Sequence, residues 1–364
     1  GLPIDITTYR IDGTYTDGRH PVHVRFSTSL EDDLRRRDFT MNAMMRDALT
    51  GALIDRFGGQ ADIQNRVIRH VEERTFRRDP LRAIRAAQFA ARLEFAIAPE
   101  TMALCRTLDL DGLARERVMG EMEKALTRSR RPSRCFEALR EMGQLEPWLK
   151  EVAALIGVKQ RADCHPEGDA WTHTMLVVDE AAKLRDEAKN PTGLMLAALL
   201  HDVGKAVAMQ EKDGVIHAYG HETAGVPLAE DFLRRLTGEK ALCRYVLNMV
   251  ELHMKPNMYA AQNSGQKAWN RLFDWSACPE DLLLLAKADH RGRINAAPYA
   301  ETERMIRARL SAYEEMMARP HITGADLLAR GIQPGEEMGR LLEEAHRLRL
   351  AGVKKEDALR QMRL

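Results

Sequence analysis

The chain has 364 residues, 45% of them hydrophobic and 30% charged, with 55 basic side chains against 54 acidic ones. That length exceeds one ordinary core and predicts two or three domains, and the composition excludes a disordered tail protein. The near-neutral balance excludes a globally basic nucleic-acid binder, so any such affinity must reside in local patches.

Aromatic residues make up only 5%, while Leu, Ala, Arg and Met abound, which predicts a largely helical protein. The longest apolar runs, such as residues 193–200, fall far short of the roughly 20 needed to span a bilayer. No signal-peptide pattern opens the chain. Five cysteines (Cys105, Cys135, Cys164, Cys243 and Cys278) include no CxxC pair, which predicts reduced thiols and a cytoplasmic protein.

In chain order, residues 1–75 hold the β-rich part. Short alternating or β-branched runs at 4–9, 20–27, 52–57 and 66–71 are bounded by Gly, Asp or Pro. Between them the pattern predicts a helix from Ser29 to about Arg46, opened by Ser29 with an acid three residues on. Beyond Phe76 the pattern is helical throughout, with loops near Gly220, 255–266 and 319–324. Two stretches are locally basic: 66–92 carries eight Arg against three acids, and 115–140 carries eight Arg or Lys against four. A solvated helix face explains either stretch as well as phosphate binding does.

The densest chemistry lies between residues 165 and 290. The His201-Asp202 pair ends an apolar run at 194–200 and precedes Val203-Gly204-Lys205. His173 lies on an earlier helix, His221 follows the turn Tyr219-Gly220, His253 follows Glu251-Leu252, and Asp289 follows Ala288. Several have apolar neighbours, where an unpaired imidazole or carboxylate is costly to bury. Convergence on a divalent ion relieves that cost. The second distinctive string is Arg36-Arg37-Asp38-Phe39-Thr40-Met41-Asn42-Ala43. On a helix Asp38 and Asn42 share a face, which suits a nucleoside triphosphate, with Arg for phosphate and Asp and Asn for ribose hydroxyls. An exposed helix with one internal hydrogen bond fits the same residues.

His173, His201-Asp202 and Asp289 resemble the pattern of the HD phosphohydrolase superfamily. The resemblance implies metal binding by His173, His201, Asp202 and Asp289, with His221 and His253 matching the extra histidines some members use for a second metal. It makes His201, Asp202 and Lys205 the catalytic group, Lys205 holding phosphate or orienting Asp202, with a divalent transition metal or Mg²⁺ as cofactor. His165, His217 and His290 receive no role and are expected at the surface or behind the ligands.

RRDFTMNAM, then Asp55-Arg56-Phe57-Gly58-Gly59 with Asp62, then Arg78-Asp79-Pro80-Leu81-Arg82 leading into 83–95, stand in the order seen in class II tRNA nucleotidyltransferases. These are the CCA-adding enzymes and their bacterial poly(A) polymerase relatives. Ile322-Thr323-Gly324-Ala325-Asp326-Leu327, with Pro334-Gly335 after it, resembles the tail of such proteins. The resemblance implies that Arg37, Asp38 and Asn42 bind the nucleotide's sugar and phosphates. Asp79 and Arg82 would read the base, with Arg85 in the same nucleotide-binding set. It also implies tRNA, CTP and ATP as partners and Mg²⁺ for nucleotidyl transfer.

Two departures accompany it. The base-reading motif usually begins Glu-Asp and here reads Arg78-Asp79, which makes Glu73 a candidate substitute. The first family motif, a Gly-Gly turn followed by two Mg²⁺-binding carboxylates on a strand, is not matched. Asp5, Asp12 and Asp17 do not sit in that context, so the chain, which starts at Gly1, reads as a fragment. The expected architecture is mainly α with an N-terminal α+β part. It comprises a partial nucleotidyltransferase head at 1–75, neck and body helices at 76–155, an all-helical HD domain at 160–310 and a helical tail at 311–364. Three other readings stay open: a metal-dependent HD phosphohydrolase whose N-terminal half only binds RNA, a poly(A) polymerase-like adenylyltransferase, and a non-catalytic RNA binder.

Overall fold

The computed structural model describes residues 8–12, 24–161, 165–212 and 215–364. The strands expected at 4–9 and 20–27 lie partly outside them, as do Asp5, Asp17 and Cys164. In the head, β1 (Arg10–Asp12) pairs antiparallel with β2 (Val24–Phe26). Helix α1 (Leu30–Arg35) starts where Ser29 accepts a hydrogen bond from the Asp32 amide at 3.3 Å.

That helix ends at Arg35, not near Arg46 as the pattern predicted. Asp38 is the reason: its Oδ1 accepts from the Phe39 amide at 2.8 Å, a local bond that competes with the helical ladder. Phe39 is then extended, bridges to His70, and buries its ring edge-on against Phe76 and Phe89. The chain continues into β3 (Met44–Arg46), antiparallel to β4 (Leu53–Asp55). Helix α2 (Gly59–Gln64) packs so tightly that a Cβ on Gly59 would lie 2.4 Å from the Thr40 carbonyl oxygen. β5 (Val67–Ile68) and α3 (Glu73–Phe76) complete the head.

Helix α4 (Leu81–Leu93) turns Leu81, Ile84, Ala87 and Ala91 into the core, an apolar stripe at helical spacing. It packs on α6 (Arg115–Arg128) and α7 (Ser133–Met142), after β6 (Ala96–Ile97), which pairs in parallel with β5, and α5 (Pro99–Cys105). Helix α8 (Glu146–Ala153) leads to α9 (Ala170–Leu184).

The next helix, α10 (Pro191–Leu200), is apolar on every side, with Leu194 through Leu200 fully buried, as suits the axis of a bundle. Each such leucine contributes about 1.5–3 kcal/mol of burial. Around it stand α6, α9, α13 (Lys240–Leu252) and α16 (Pro279–Arg291). Between them the chain forms α11 (Lys205–Ala208), the hairpin β7 (Gln210–Lys212) and β8 (Val215–His217), α12 (His221–Leu236), α14 (Met254–Ala261) and α15 (Gln266–Trp275). Helix α17 (Ala300–Ala318) follows, then α18 (Gly324–Leu328), α19 (Glu336–Leu350) and α20 (Lys355–Gln361) around a small separate core of Ile322, Leu327, Ala345 and Ala358.

Two further expectations are corrected. β6 and the β7–β8 hairpin interrupt the helical half, and α14 occupies most of the loop expected at 255–266. Leu282 and Leu285 are core residues packed in the bundle. Among the described residues no helix is long and apolar enough to cross a membrane. Cys105, Cys135, Cys243 and Cys278 are free thiols.

Candidate functional site

Six donors predicted from sequence converge in the bundle, each delivered by a helix end or a buried helix face. His201 and Asp202 follow α10, His221 opens α12, His253 follows α13, and His173 and Asp289 lie on the inner faces of α9 and α16. The turn at Gly204 permits this convergence: a Cβ there would sit 2.0 Å from the His221 carbonyl oxygen, so only glycine lets the two segments touch.

Three imidazoles share one orientation. Nδ1 of His201, His221 and His253 donates to the carbonyl three residues earlier (Ala198, Ala218 and Val250) at 2.9, 2.8 and 2.7 Å. A carbonyl only accepts, so each Nδ1 carries the proton and each Nε2 points inward as a bare acceptor. These acceptors face other acceptors. His221 Nε2 lies 3.4 Å from His253 Nε2 and 3.1 Å from Asp202 Oδ1, and His201 Nε2 lies 3.2 Å from Asp202 Oδ2. His173 Nε2 lies 3.1 Å from Asp289 Oδ1. Buried His201 Nε2 and Asp289 Oδ2 have no hydrogen-bond partner.

A pocket of bare acceptors is costly unless cations fill it. Burial opposes charge on His173 and His221, yet hydrogen bonds to Asp289 and Glu167, and to Asp202, outweigh it and raise both pKa values. His253 is instead pushed down to about 3 by burial and by His201 and His221, which keeps it neutral. Burial works against the Asp202 carboxylate, but His201 and Lys205 hold its pKa well below the ordinary value. The donor set therefore fits a divalent cation, and Asp202 faces two groups: His173 and His201 through Oδ2, and His221 and His253 through Oδ1.

Lys205 Nζ lies 2.6 Å from Asp202 Oδ2 and donates to Gln160 Oε1 at 2.6 Å, so it touches the Asp202 carboxylate directly. The cluster opens into a cavity of about 220 Å³ lined by Arg161, His165, Lys205, His217, Tyr219 and Arg293, among others. Sequence reasoning missed Arg161, Arg293 and Glu167. Glu167 lies two residues beyond His165, a proximity that could have flagged it.

The second site is a cavity of about 870 Å³ between α4, α6 and the segment that follows α1, and it gathers all six residues of the expected nucleotide set. Asn42 Nδ2 donates to Asp38 Oδ1 at 3.0 Å, so the two meet although no helix joins them. Arg85 donates from Nε and Nη2 to Asp38 Oδ2 at 2.9 and 2.7 Å and from Nη1 to Glu121 Oε1 at 3.0 Å. Burial works against the charge of Arg85, but Asp38 and Glu121 outweigh it and raise its pKa.

Asp79 pairs through Oδ2 with Arg117 at 2.8 Å, while its buried Oδ1 and Glu121 Oε2 lack partners. Arg37 Nη1 donates to the Asn42 carbonyl at 2.9 Å, and Arg82 donates to the carbonyls of Arg36, Arg37 and Thr75. In this structure Arg82 thus braces the RRDF segment. Glu73, the expected substitute acid, pairs with Arg77 instead. Glu121 and Arg117 were hidden in the basic stretch 115–140, which by charge count reads equally as a solvated face or a phosphate-binding one.

A small α+β head, an arginine-lined cavity and a helical bundle with a buried histidine-aspartate cluster are the architecture of a nucleotidyltransferase head followed by an HD-type domain. Residues 2–69 match the poly A polymerase head domain, 94–156 the "Probable RNA and SrmB- binding site of polymerase A", and 170–294 the HD domain. A Multifunctional CCA protein of Actinobacillus pleuropneumoniae serotype 5b (strain L20) is 37% identical over 338 residues, covering 90% of this chain and 79% of that protein. One from Burkholderia cenocepacia (strain HI2424) is 39% identical over 349 residues, with coverages of 91% and 80%. The Bacillus stearothermophilus CCA-adding enzyme in complex with CTP superposes with a TM-score of 0.57 at 25% identity, covering 95% of this chain and 74% of that one. A CCA-adding enzyme in apo form II shares the fold at 18% identity, with a TM-score of 0.64 and coverages of 99% and 76%. The chain belongs to the family of CCA-adding tRNA nucleotidyltransferases that carry an HD domain. Membership and donor set together imply dependence on a divalent metal.

Proposed function

We propose that this chain handles tRNA 3′ ends with two separate sites. One is the nucleotide-selecting part of a CCA-adding reaction that uses CTP and ATP; the other is an HD centre that hydrolyses phosphoesters. The observation that carries the reading is the presence of both constellations in one chain, each formed by the residues its motifs name. We assign 1–75 to the head, 76–155 to neck and body, 160–310 to the HD unit and 311–364 to the tail, and we place the protein in the cytoplasm.

In the arginine cavity, the unpaired Oδ1 of Asp79 accepts from an exocyclic amine, which C and A present and U does not. Arg117 holds that carboxylate from behind, while Arg37, Asp38, Asn42 and Arg85 form a polar wall for sugar and phosphates. Arg82 fixes the backbone on which that wall stands. Among the described residues the cavity carboxylates Asp38, Asp79 and Glu121 are each paired to arginine, a donor set suited to nucleotide recognition. The Mg²⁺ expected for transfer is therefore not assigned to them.

In the HD centre, His173, His201, Asp202 and Asp289 would hold one divalent ion, and His221 and His253 extend the set through Asp202. The imidazole-rich donors favour a transition ion over Mg²⁺. Bound there, such an ion lowers the pKa of a coordinated water and polarises a phosphoryl oxygen. Lys205 and Arg293 supply the cationic wall for the phosphate, and Lys205 also orients Asp202. A terminal or cyclic phosphate blocking an RNA 3′ end is the substrate we infer.

Hydrolysis of such esters with Mn²⁺, Co²⁺, Ni²⁺ or Mg²⁺ tests this centre: Asp202→Ala should abolish it and spare tRNA binding. Hydrolysis surviving in Asp202→Ala overturns the metal assignment. Equilibrium dialysis with the four ribonucleoside triphosphates tests the cavity, and equal binding of all four overturns the base reading.

A further inference from the structure

Glu167 belongs to none of the motifs and is unused by the mechanism above, yet its side chain is fully screened from solvent beside the metal cluster. Its Oε1 accepts from His173 Nδ1 and from His165 Nδ1, both at 2.8 Å. Its Oε2 accepts from the Ile294 amide at 3.3 Å, just beyond the helix that carries Asp289.

The need for this carboxylate follows from where His173 sits. His201 and His253 lie at helix C-termini, where backbone carbonyls have no ladder partner and are available to imidazole Nδ1. His221 uses a carbonyl of the turn before its helix. His173 lies inside α9, where the carbonyls are committed to the helix. Without an outside acceptor its ring would have no fixed tautomer, and Nε2 would carry the proton in half of the neutral population or more. Only the form with Nδ1 protonated presents Nε2 to a metal.

Resting on the HD reading of the site, we propose that Glu167 is the positioning residue that fixes His173 as a metal ligand, and that it ties that ligand to Asp289 through Ile294. The carboxylate sets the tautomer, holds the ring plane and makes Nε2 a stronger donor to the ion. The two bonds into Oε1 have ordinary hydrogen-bond lengths, so a carboxylate shared by two imidazoles accounts for the His165–Glu167–His173 group without an ion of its own.

The test uses the full chain, stripped of metal, titrated with Co²⁺ and followed by visible absorption and calorimetry, with thermal unfolding recorded in chelator. Glu167→Ala should weaken Co²⁺ binding about 10–100-fold. Glu167→Gln keeps an acceptor of the same shape but not the charge, so it should fall between that variant and the parent. It also carries the test if the alanine variant does not fold. A purely structural role would lower stability in chelator and leave Co²⁺ affinity of the folded variants unchanged. That result, or parental affinity in both variants, overturns the proposal. A parent chain that binds no Co²⁺ overturns the HD reading itself, a failure distinct from that of Glu167.

Discussion

Replacing Asp281 with alanine should loosen the metal cluster from about 12 Å away, two helical turns before Asp289. Asp281 is fully buried and accepts from the amides of Lys189 and Asn190, at 2.8 and 2.9 Å, and from the Tyr245 hydroxyl at 2.6 Å. The first two precede α10, which His201 follows; Tyr245 lies on α13, which His253 follows; Asp281 itself is on α16. One carboxylate therefore sets the register of three ligand-bearing helices at the end remote from the ligands. A hydrogen bond to a charged acceptor contributes about 1.5–3 kcal/mol, and each donor stranded in the core costs about 1–3 kcal/mol. With some relief from water entering the space, the expected loss is about 4 kcal/mol. Tyr245→Phe deletes one donor and leaves the amides paired, for about 1.5–3 kcal/mol. Urea unfolding of the metal-free chain measures both, and a Co²⁺ titration should show weaker binding by Asp281→Ala than by Tyr245→Phe. An alanine variant no less stable than Tyr245→Phe refutes the argument that Asp281 is the shared anchor.

Asp79→Asn replaces the unpaired acceptor with a group that can present a donor, so binding of CTP and ATP should drop roughly tenfold or more while UTP binding does not; parallel losses for all nucleotides would sink the base-reading role. Burial lowers the pKa of His70 below its usual 6.5, so the unfolded state binds more protons as the pH falls. Its contribution to stability is complete above about pH 6.5 and declines below it, and His70→Gln should flatten that acid limb in pH-dependent unfolding; an unchanged limb counts against it. Burial raises the thiols of Cys105 and Cys135 to about 12, so alkylation mapped by mass spectrometry should reach them only on unfolding. Rapid labelling of either in the native chain contradicts their packing.

The convergent histidines and aspartates were legible because buried charge leaves a mark in sequence: His201-Asp202 abuts an apolar run, and convergence makes such a placement tolerable. The helix supporting them was legible for the same reason, since α10 has no polar face. The head was less so. RRDFTMNAM has the composition of a helix, but the Asp38 side chain captures the Phe39 amide and the aromatic core prefers Phe39 extended; tertiary packing overrides propensity there. Helix α14 was hidden by Pro256, which reads as a breaker. It sits in the first turn, where the missing N–H is not required. Glu167 and Glu121 were missed because a carboxylate is ordinary on a surface, and only burial distinguishes these two.

The two sites apply opposite electrostatic designs, and this separates their chemistry more firmly than their motifs do. In the arginine cavity each lining carboxylate already has a cation: Asp38 and Glu121 share Arg85, Asp79 has Arg117 and Glu116 has Arg115. Such a site is nearly neutralised before any ligand arrives, and the acceptor atoms left open report the hydrogen-bonding pattern of a base. In the bundle the donors face one another, with Lys205 against one edge of Asp202 and bare nitrogens elsewhere. A neutral base gains little there, whereas a divalent cation relieves the contacts between the donors around it. Removing a charge from the first site should therefore change which nucleotide binds; removing one from the second should change whether a metal binds.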